Sequence, residues 1–170
     1  MYKDAMSPFA RCIKRLIDLF ASFFGMVILS PFYLAIWIAI KMEDGGKPIF
    51  SQERVGYKGK LFTIYKFRSM IIESEDNGVP QLCQEKDDRL TKVGRFLRDH
   101  HLDELPQLWN IFTGDMSLVG PRPERPYFAE KIMEQNSDYQ YVYLMRPGIF
   151  SPATLYNGYT DTMEKMLERL

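Results

Sequence analysis

The stretch L-I-D-L-F-A-S-F-F-G-M-V-I-L-S-P-F-Y-L-A-I-W-I-A-I, residues 16–40, carries one charge, Asp18, among 25 residues. Nearly all other charges of the 170-residue chain lie outside it, so the composition divides into a membrane segment and a water-facing body. A straight helix of that length would reach about 37 Å, enough to cross a hydrocarbon core of about 30 Å. Ser30-Pro31 interrupts it. A proline inside a helix removes one backbone bond and clashes with the carbonyl four residues earlier, so the helix kinks, and a neighbouring serine can bond the freed carbonyl. Arg11, Lys14 and Arg15 precede the segment; Lys41 and Lys47 follow it. Basic flanks favour the cytoplasmic side, and Leu16 to Ser30 alone reaches only about 22 Å. Pattern alone leaves two readings open, a kinked span and a re-entrant helix that enters and leaves by one face. A cleaved signal peptide fits poorly, because apolar residues continue for nine positions past Pro31 and no A-x-A site follows.

The frame outward from this stretch is a basic N-terminal segment (1–15), the membrane helix (16–40, broken at 30–31) and one body (41–170). With 46% hydrophobic and 26% charged residues the balance is that of a globular protein. The net charge of +0 supplies no polybasic field, and no DNA- or RNA-binding motif is present, so nucleic acid is not an expected partner. Cys12 and Cys83 lie far apart without C-x-x-C spacing, which implies no disulfide framework, no thiol metal site and a reducing, cytosolic body.

After Lys41 the period changes. P-I-F-S-Q-E-R, V-G-Y-K-G-K and L-F-T-I-Y-K-F-R-S-M read as two strands joined by a Gly-containing turn. Lys66 and Arg68 are i and i+2, so on a strand both point to one face and suit a phosphate; a solvated basic edge is the commoner meaning of such a pair. Residues 71–88 are acidic, contain Gly and Pro, and read as an exposed loop. Leu90, Val93, Phe96 and Leu97 then form a helical stripe with Arg89, Lys92, Arg95 and Arg98 on other faces, a helix suited to lie on anionic lipid. Residues 113–124 hold too many Gly and Pro for a helix, and Arg122 stands between two prolines in a stiff, extended frame that suits a pyrophosphate or, more plainly, a structural loop. Residues 126–145 read as one aromatic-rich helix. Residues 161–170 form an amphipathic helix with no stop signal, as if the natural protein continued.

The chemistry gathers around D-H-H-L-D-E-L-P-Q-L-W-N, residues 99–110. Leu105, Leu108, Trp109 and Phe112 form one apolar stripe, and Pro106 is tolerated only in a first turn, so Asp103 and Glu104 are expected at a helix N-terminus whose unpaired N–H groups keep both ionised. An acidic pair, the cations Lys66, Arg68, Arg98 and Arg122, and a membrane anchor are the parts that phosphate transfer at a bilayer needs: a carboxylate nucleophile, a hard divalent cation and positive groups around the phosphates. His100 with Asp103 and His101 with Glu104 have H-x-x-E spacing, but zinc sites need three protein ligands and no third histidine exists, so solvated histidines are expected.

K-F-R-S-M (66–70), D-x-R-x-T-x-x-G-R-F-L-R (87–98), L-D-E-L-P-Q-L-W-N (102–110) and G-D-M-S-L-V-G-P-R-P (114–123), in this order, resemble the bacterial sugar transferases, the small monotopic phosphoglycosyl transferases that act on polyprenyl phosphate. The resemblance runs from about Lys14 to Gly148. It implies an α+β, mainly helical fold with a re-entrant membrane helix broken at Ser30-Pro31, a small β-hairpin, amphipathic interfacial helices and a catalytic body on the cytosolic face of the bacterial inner membrane. It implies that Asp103 attacks a UDP-sugar, expels UMP and carries a phosphosugar that undecaprenyl phosphate then takes. By the same resemblance Glu104, with Asp103, holds Mg²⁺, Arg122 binds phosphate or nucleotide, and Lys66, Arg68 and Arg98 support the charge; homodimer assembly is left open. The chain departs where the family often has R-P-G-I-T-G-W-A-Q-V-N-G and this sequence has R-P-G-I-F-S-P-A-T-L-Y-N-G-Y, a difference that bears on the sugar pocket. A non-catalytic, membrane-anchored scaffold on the same fold is the alternative.

Overall fold

The structure, a computed structural model, describes residues 6–72 and 87–151. Ser7 accepts a hydrogen bond from the Ala10 N–H at 3.2 Å and Pro8 occupies the first turn, so α1 (Pro8–Ile28) starts well before Leu16 and takes in Arg11, Lys14 and Arg15. Leu29, at φ −85° and ψ 0°, lies between the two helices, and α2 (Ser30–Asp44) departs at 60°. Pro31 is the cause. The carbonyl it orphans, that of Val27, accepts the Ser30 hydroxyl at 2.8 Å instead. No single helix among the described residues is long and apolar enough to cross a membrane; the bent pair passes that test only together. Phe20, Phe24, Ile28, Phe32 and Trp37 are exposed on it.

The expected hairpin forms from β1 (Ile49–Val55) and β2 (Leu61–Phe67), antiparallel with Ile49 opposite Phe67 and Val55 opposite Leu61. Its connection is a 3₁₀ turn, Tyr57–Gly59, in which Lys58 (φ 57°) and Gly59 (φ 72°) both take the left-handed conformation. On α3 (Lys92–Asp99), capped by Thr91 Oγ1 bonding the Gly94 N–H at 2.9 Å, the expected stripe divides: Leu97 is buried and Phe96 is exposed. Gly94 sets the docking distance, since a Cβ there would come within 1.9 Å of the Ser69 carbonyl.

Three small apolar clusters hold these elements. Ile40, Phe67 and Leu97 join α2, β2 and α3, with Tyr33, Leu102 and Leu105 packed against them. Ile64, Ile111 and Met116 join β2 to α4 (Gln107–Thr113) and to the chain beyond it. Phe128, Ile132 and Tyr139 close the far end. α4 lies on α1: the Leu108 side chain would touch a Cβ on Gly25 at 3.1 Å, and the Phe23 and Phe112 rings lie 6.3 Å apart. The Arg15 guanidinium bonds the last-turn carbonyls of α4, Ile111 at 2.6 Å and Phe112 at 2.9 Å.

Two expectations change. Residues 113–124 contain a strand, β3 (Ser117–Val119), which pairs in parallel with β4 (Gly148–Phe150), a second sheet not expected from the sequence. Residues 126–145 are not one helix. Asn136, at φ −142° and ψ 100°, separates α5 (Pro126–Gln135) from the 3₁₀ segment Ser137–Leu144, and its side chain accepts from the Asp138 N–H. The architecture is still α+β and mainly helical. Most of the acidic loop, Cys83 and the 161–170 helix lie outside the described residues.

Candidate active site

Asp103 and Glu104 lie in a 3₁₀ turn of their own, Leu102–Glu104, and α4 begins only at Gln107. Their pKa values are therefore governed by burial and by neighbouring side chains, not by the end of a helix. Lys66, near the end of β2, puts Nζ 2.7 Å from Glu104 Oε1, and Arg122 Nη2 lies 3.3 Å from the same oxygen. Lys66 and Glu104 are largely buried; Arg122 is one-third exposed. Burial by itself would raise the Glu104 pKa, but the two cations outweigh it and hold the carboxyl down at about 2. Asp103 goes the other way. It is 5% exposed, and burial holds its pKa above the usual carboxylate range against the pull of Lys66. The expectation that a helix terminus would keep both acids low is corrected: one is held ionised by partners, the other is made less willing to ionise by desolvation. Burial likewise pushes the Lys66 pKa down, opposed by Glu104.

Arg122 is positioned by backbone on both sides. The Gly120 N–H bonds the Phe150 carbonyl at 3.0 Å, the Gly148 N–H bonds the Pro121 carbonyl at 2.9 Å, and the Val55 N–H bonds the Glu124 carbonyl at 2.9 Å. A Cβ on Gly148 would stand 2.1 Å from the Gly120 nitrogen, so the two glycines let the strands meet where Pro121 begins the Arg122 loop.

Arg68 is not brought to this pocket. The strand ends at Phe67, and the Arg68 guanidinium forms a two-point ion pair with Asp44 at the end of α2 and bonds the Lys47 carbonyl at 2.8 Å. That pairing holds the Asp44 pKa below its ordinary value. Arg98, in the last turn of α3, acts on Asp103 through its charge, which lowers the Asp103 pKa against burial. His100 and His101 are exposed; His100 Nδ1 lies 2.9 Å from the Phe96 carbonyl, and no cluster of three metal-binding side chains occurs among the described residues. Ser30 and Pro31 lie at the bend. Leu108 faces α1 and Trp109 is exposed, so the apolar stripe expected on this helix is shared between protein and surroundings.

Asp18 is a residue whose role the sequence did not disclose. It is buried, accepts from the Ser117 hydroxyl at 2.7 Å and the Leu118 N–H at 3.0 Å, and lies 3.5 Å from Lys14 Nζ, which also bonds Ser117. The signal was its isolation as the single charge in residues 16–40. Asn110 is a second: its side chain accepts from the Tyr65 N–H at 3.1 Å and donates to the Thr63 carbonyl at 2.7 Å, fastening α4 to β2.

A divalent cation fits this donor set. Both Glu104 contacts use Oε1, Oε2 serves neither cation, and Asp103 adds a second carboxylate in the same turn; Mg²⁺ needs one or two carboxylates with substrate oxygens completing its shell.

The family model for bacterial sugar transferases matches residues 9–169. Over 153 residues the chain is 42% identical to the UDP-N-acetylgalactosamine-undecaprenyl-phosphate N-acetylgalactosaminephosphotransferase of Aeromonas hydrophila, covering 90% of this chain and 36% of that protein. Over 172 residues it is 39% identical to the UDP-glucose:undecaprenyl-phosphate glucose-1-phosphate transferase of Escherichia coli, covering 100% of this chain and 37% of that one. The undecaprenyl-phosphate galactose phosphotransferase of Salmonella typhimurium is 38% identical over 154 residues, covering 82% of this chain and 32% of its own. The chain thus spans about a third of the length of these relatives, and their names carry three different sugars.

Proposed function

Because the chain belongs to the bacterial sugar transferases, we propose that it transfers a sugar 1-phosphate from a UDP-sugar to undecaprenyl phosphate and releases UMP. The observation that carries this is the Lys66–Glu104–Arg122 cluster with Asp103 in the same turn. An Asp103 carboxylate oxygen forms a bond to the phosphorus next to the sugar; the bond from that phosphorus to the UMP oxygen breaks, and UMP leaves with its electron pair. A phosphate oxygen of the lipid then attacks the same phosphorus and Asp103 leaves as carboxylate. Lys66 and Arg122 face the negative charge that gathers on the phosphoryl oxygens, already oriented by Glu104 and the strand-anchored loop, so little reorganisation is needed. Glu104, with Asp103, would hold Mg²⁺, which when bound neutralises diphosphate charge.

The exposed apolar faces of α1 and α2 support a membrane seat for the bent pair, with both ends and the body on the cytosolic face of the inner membrane. That seat accounts for an acidic pair beside a greasy helix: the acceptor presents its phosphate at headgroup depth.

The test is UMP release from a panel of UDP-sugars with Mg²⁺, with and without undecaprenyl phosphate, by lipid-embedded wild type and Asp103→Asn. Lipid-dependent turnover by wild type alone is the expected result. UMP release retained in Asp103→Asn would remove the covalent step, and absence of turnover in both would leave the scaffold reading.

A further inference from the structure

Beside Glu104 lies a cavity of about 10 Å³, room for about one oxygen-sized atom, lined by Arg54, Lys66, Glu104, Gln107, Arg122 and Pro123. Two of its lining residues end in donors that have no partner among the described residues: Arg54 Nε and Gln107 Nε2. Gln107 is 2% exposed. Buried donors are nearly always paired in native proteins, so two orphans around one small void call for an acceptor.

Both are held firmly. Arg54 stands opposite Phe62, on the β1 face that also carries Gln52, and in this register Arg54, Ile64 and Lys66 share one side of the sheet. Its other nitrogens each have an acceptor, Nη1 the Pro123 carbonyl at 3.1 Å and Nη2 Gln52 Oε1 at 2.7 Å, and Nε is the nitrogen without one. Gln107 opens α4 one turn before Asn110, whose two bonds to β2 fix the rotation of that helix. The lining brings Arg54, Lys66 and Arg122 together around the Glu104 carboxylate, and the buried carboxylates Asp103 and Glu124 act on the same cations.

We infer that Arg54 Nε and Gln107 Nε2 are two further substrate-binding donors, which take a non-bridging oxygen of the nucleotide diphosphate in the pocket between Lys66 and Arg122. The inference rests on the transfer reading above and extends its phosphate site from side chains visible as charges to a neutral amide. An anionic oxygen is the acceptor that suits this lining, since it satisfies both orphans, one of them on a guanidinium, beside Lys66 and Arg122.

The experiment is calorimetric binding of UDP, with Mg²⁺, to the lipid-embedded full chain as wild type, Gln107→Met, Gln107→Glu and Arg54→Met, each checked for an unchanged thermal midpoint. Losing a hydrogen bond to a charged group weakens UDP by on the order of tenfold. Gln107→Glu has the shape of the native side chain but presents an acceptor, so a donor role makes it the worst of the Gln107 variants, whereas a packing role makes it the mildest. Uridine, which lacks phosphate, serves as control and should be indifferent to all three. Equal UDP affinity in wild type and variants would mean that the two donors serve a buried water only, and an equal loss for uridine would mean a structural role; either overturns the inference. Both outcomes are read from binding, so they stand apart from the turnover assay: a wild type that releases UMP while its Gln107 variants bind UDP normally keeps the transferase and loses this site.

Discussion

In α1 and α2, Phe20, Phe24, Ile28 and Phe32 face outward, while in the body Asp103, Glu104 and Lys66 are folded inward. Each region reverses the ordinary arrangement of a water-soluble protein, and the two do so in opposite senses. Apolar surface left open costs about 25 cal/mol per Å² in water and nothing comparable in lipid. Charges taken inside cost several kcal/mol apiece unless paired, and the body meets that cost by pairing, Lys66 and Arg122 on Glu104. The pocket relies on its own partners; the helix pair, in the membrane seat proposed for it, relies on a surrounding phase. Where the two regions meet they exchange character: Asp18 and Arg15 of the greasy helix turn their polar groups to β3 and to the end of α4.

The largest effect that would break this comparison is chemical. Asp103→Asn should lower UMP release by about 10³-fold or more, with the protein still membrane-bound; retained turnover would mean that the buried acid is structural. Next, Ile28→Asp, at a side chain that is 70% exposed, should weaken vesicle partition by roughly 2.5–3.5 kcal/mol while the melting midpoint of the body holds. Unchanged partition in a sedimentation assay would show that the bend does not enter lipid. A smaller effect sharpens the boundary between the regions: Asp18→Asn should cost about 1–2 kcal/mol in denaturant unfolding of the detergent-solubilised protein, because the buried bonds from Ser117 and Leu118 lose their charged acceptor. The smallest concerns pH. The Asp44 pKa is depressed by Arg68, so its pair supports the fold fully above the ordinary carboxylate pKa and fades as pH falls through the lowered value. Asp44→Asn should flatten the acid limb of unfolding free energy against pH; an unaltered slope would assign that limb to other carboxylates.

Local rules made much of this legible. Ser30-Pro31 named both the bend and its repair, since the serine lies one residue before the proline and can reach the carbonyl that the proline orphans. Alternation either side of V-G-Y-K-G-K located the hairpin. Long-range facts escaped. The i, i+2 argument for Lys66 and Arg68 assumed that the strand continued, whereas the ladder ends at Phe67 and Arg68 is captured by Asp44, distant in sequence. β3 and β4 are too short and too far apart to advertise each other, and only the glycines at 120 and 148 hinted at a close crossing. The direction in which the Asp103 pKa moves escaped because it depends on burial, which no spacing reveals.

The parallel strands also order events in time. Lys66 arrives with a hairpin whose turn is local, but Arg122 waits on the meeting of β3 and β4 across α5 and the 3₁₀ segment, and such non-local pairings form slowly. The hairpin that carries Lys66 can therefore form before the crossing that fixes the Arg122 loop. During refolding, pulsed hydrogen exchange should protect the Ile64 amide before that of Gly120. On this schedule a chain leaving the ribosome keeps the Lys66–Glu104–Arg122 cluster unfinished until β4 has been made.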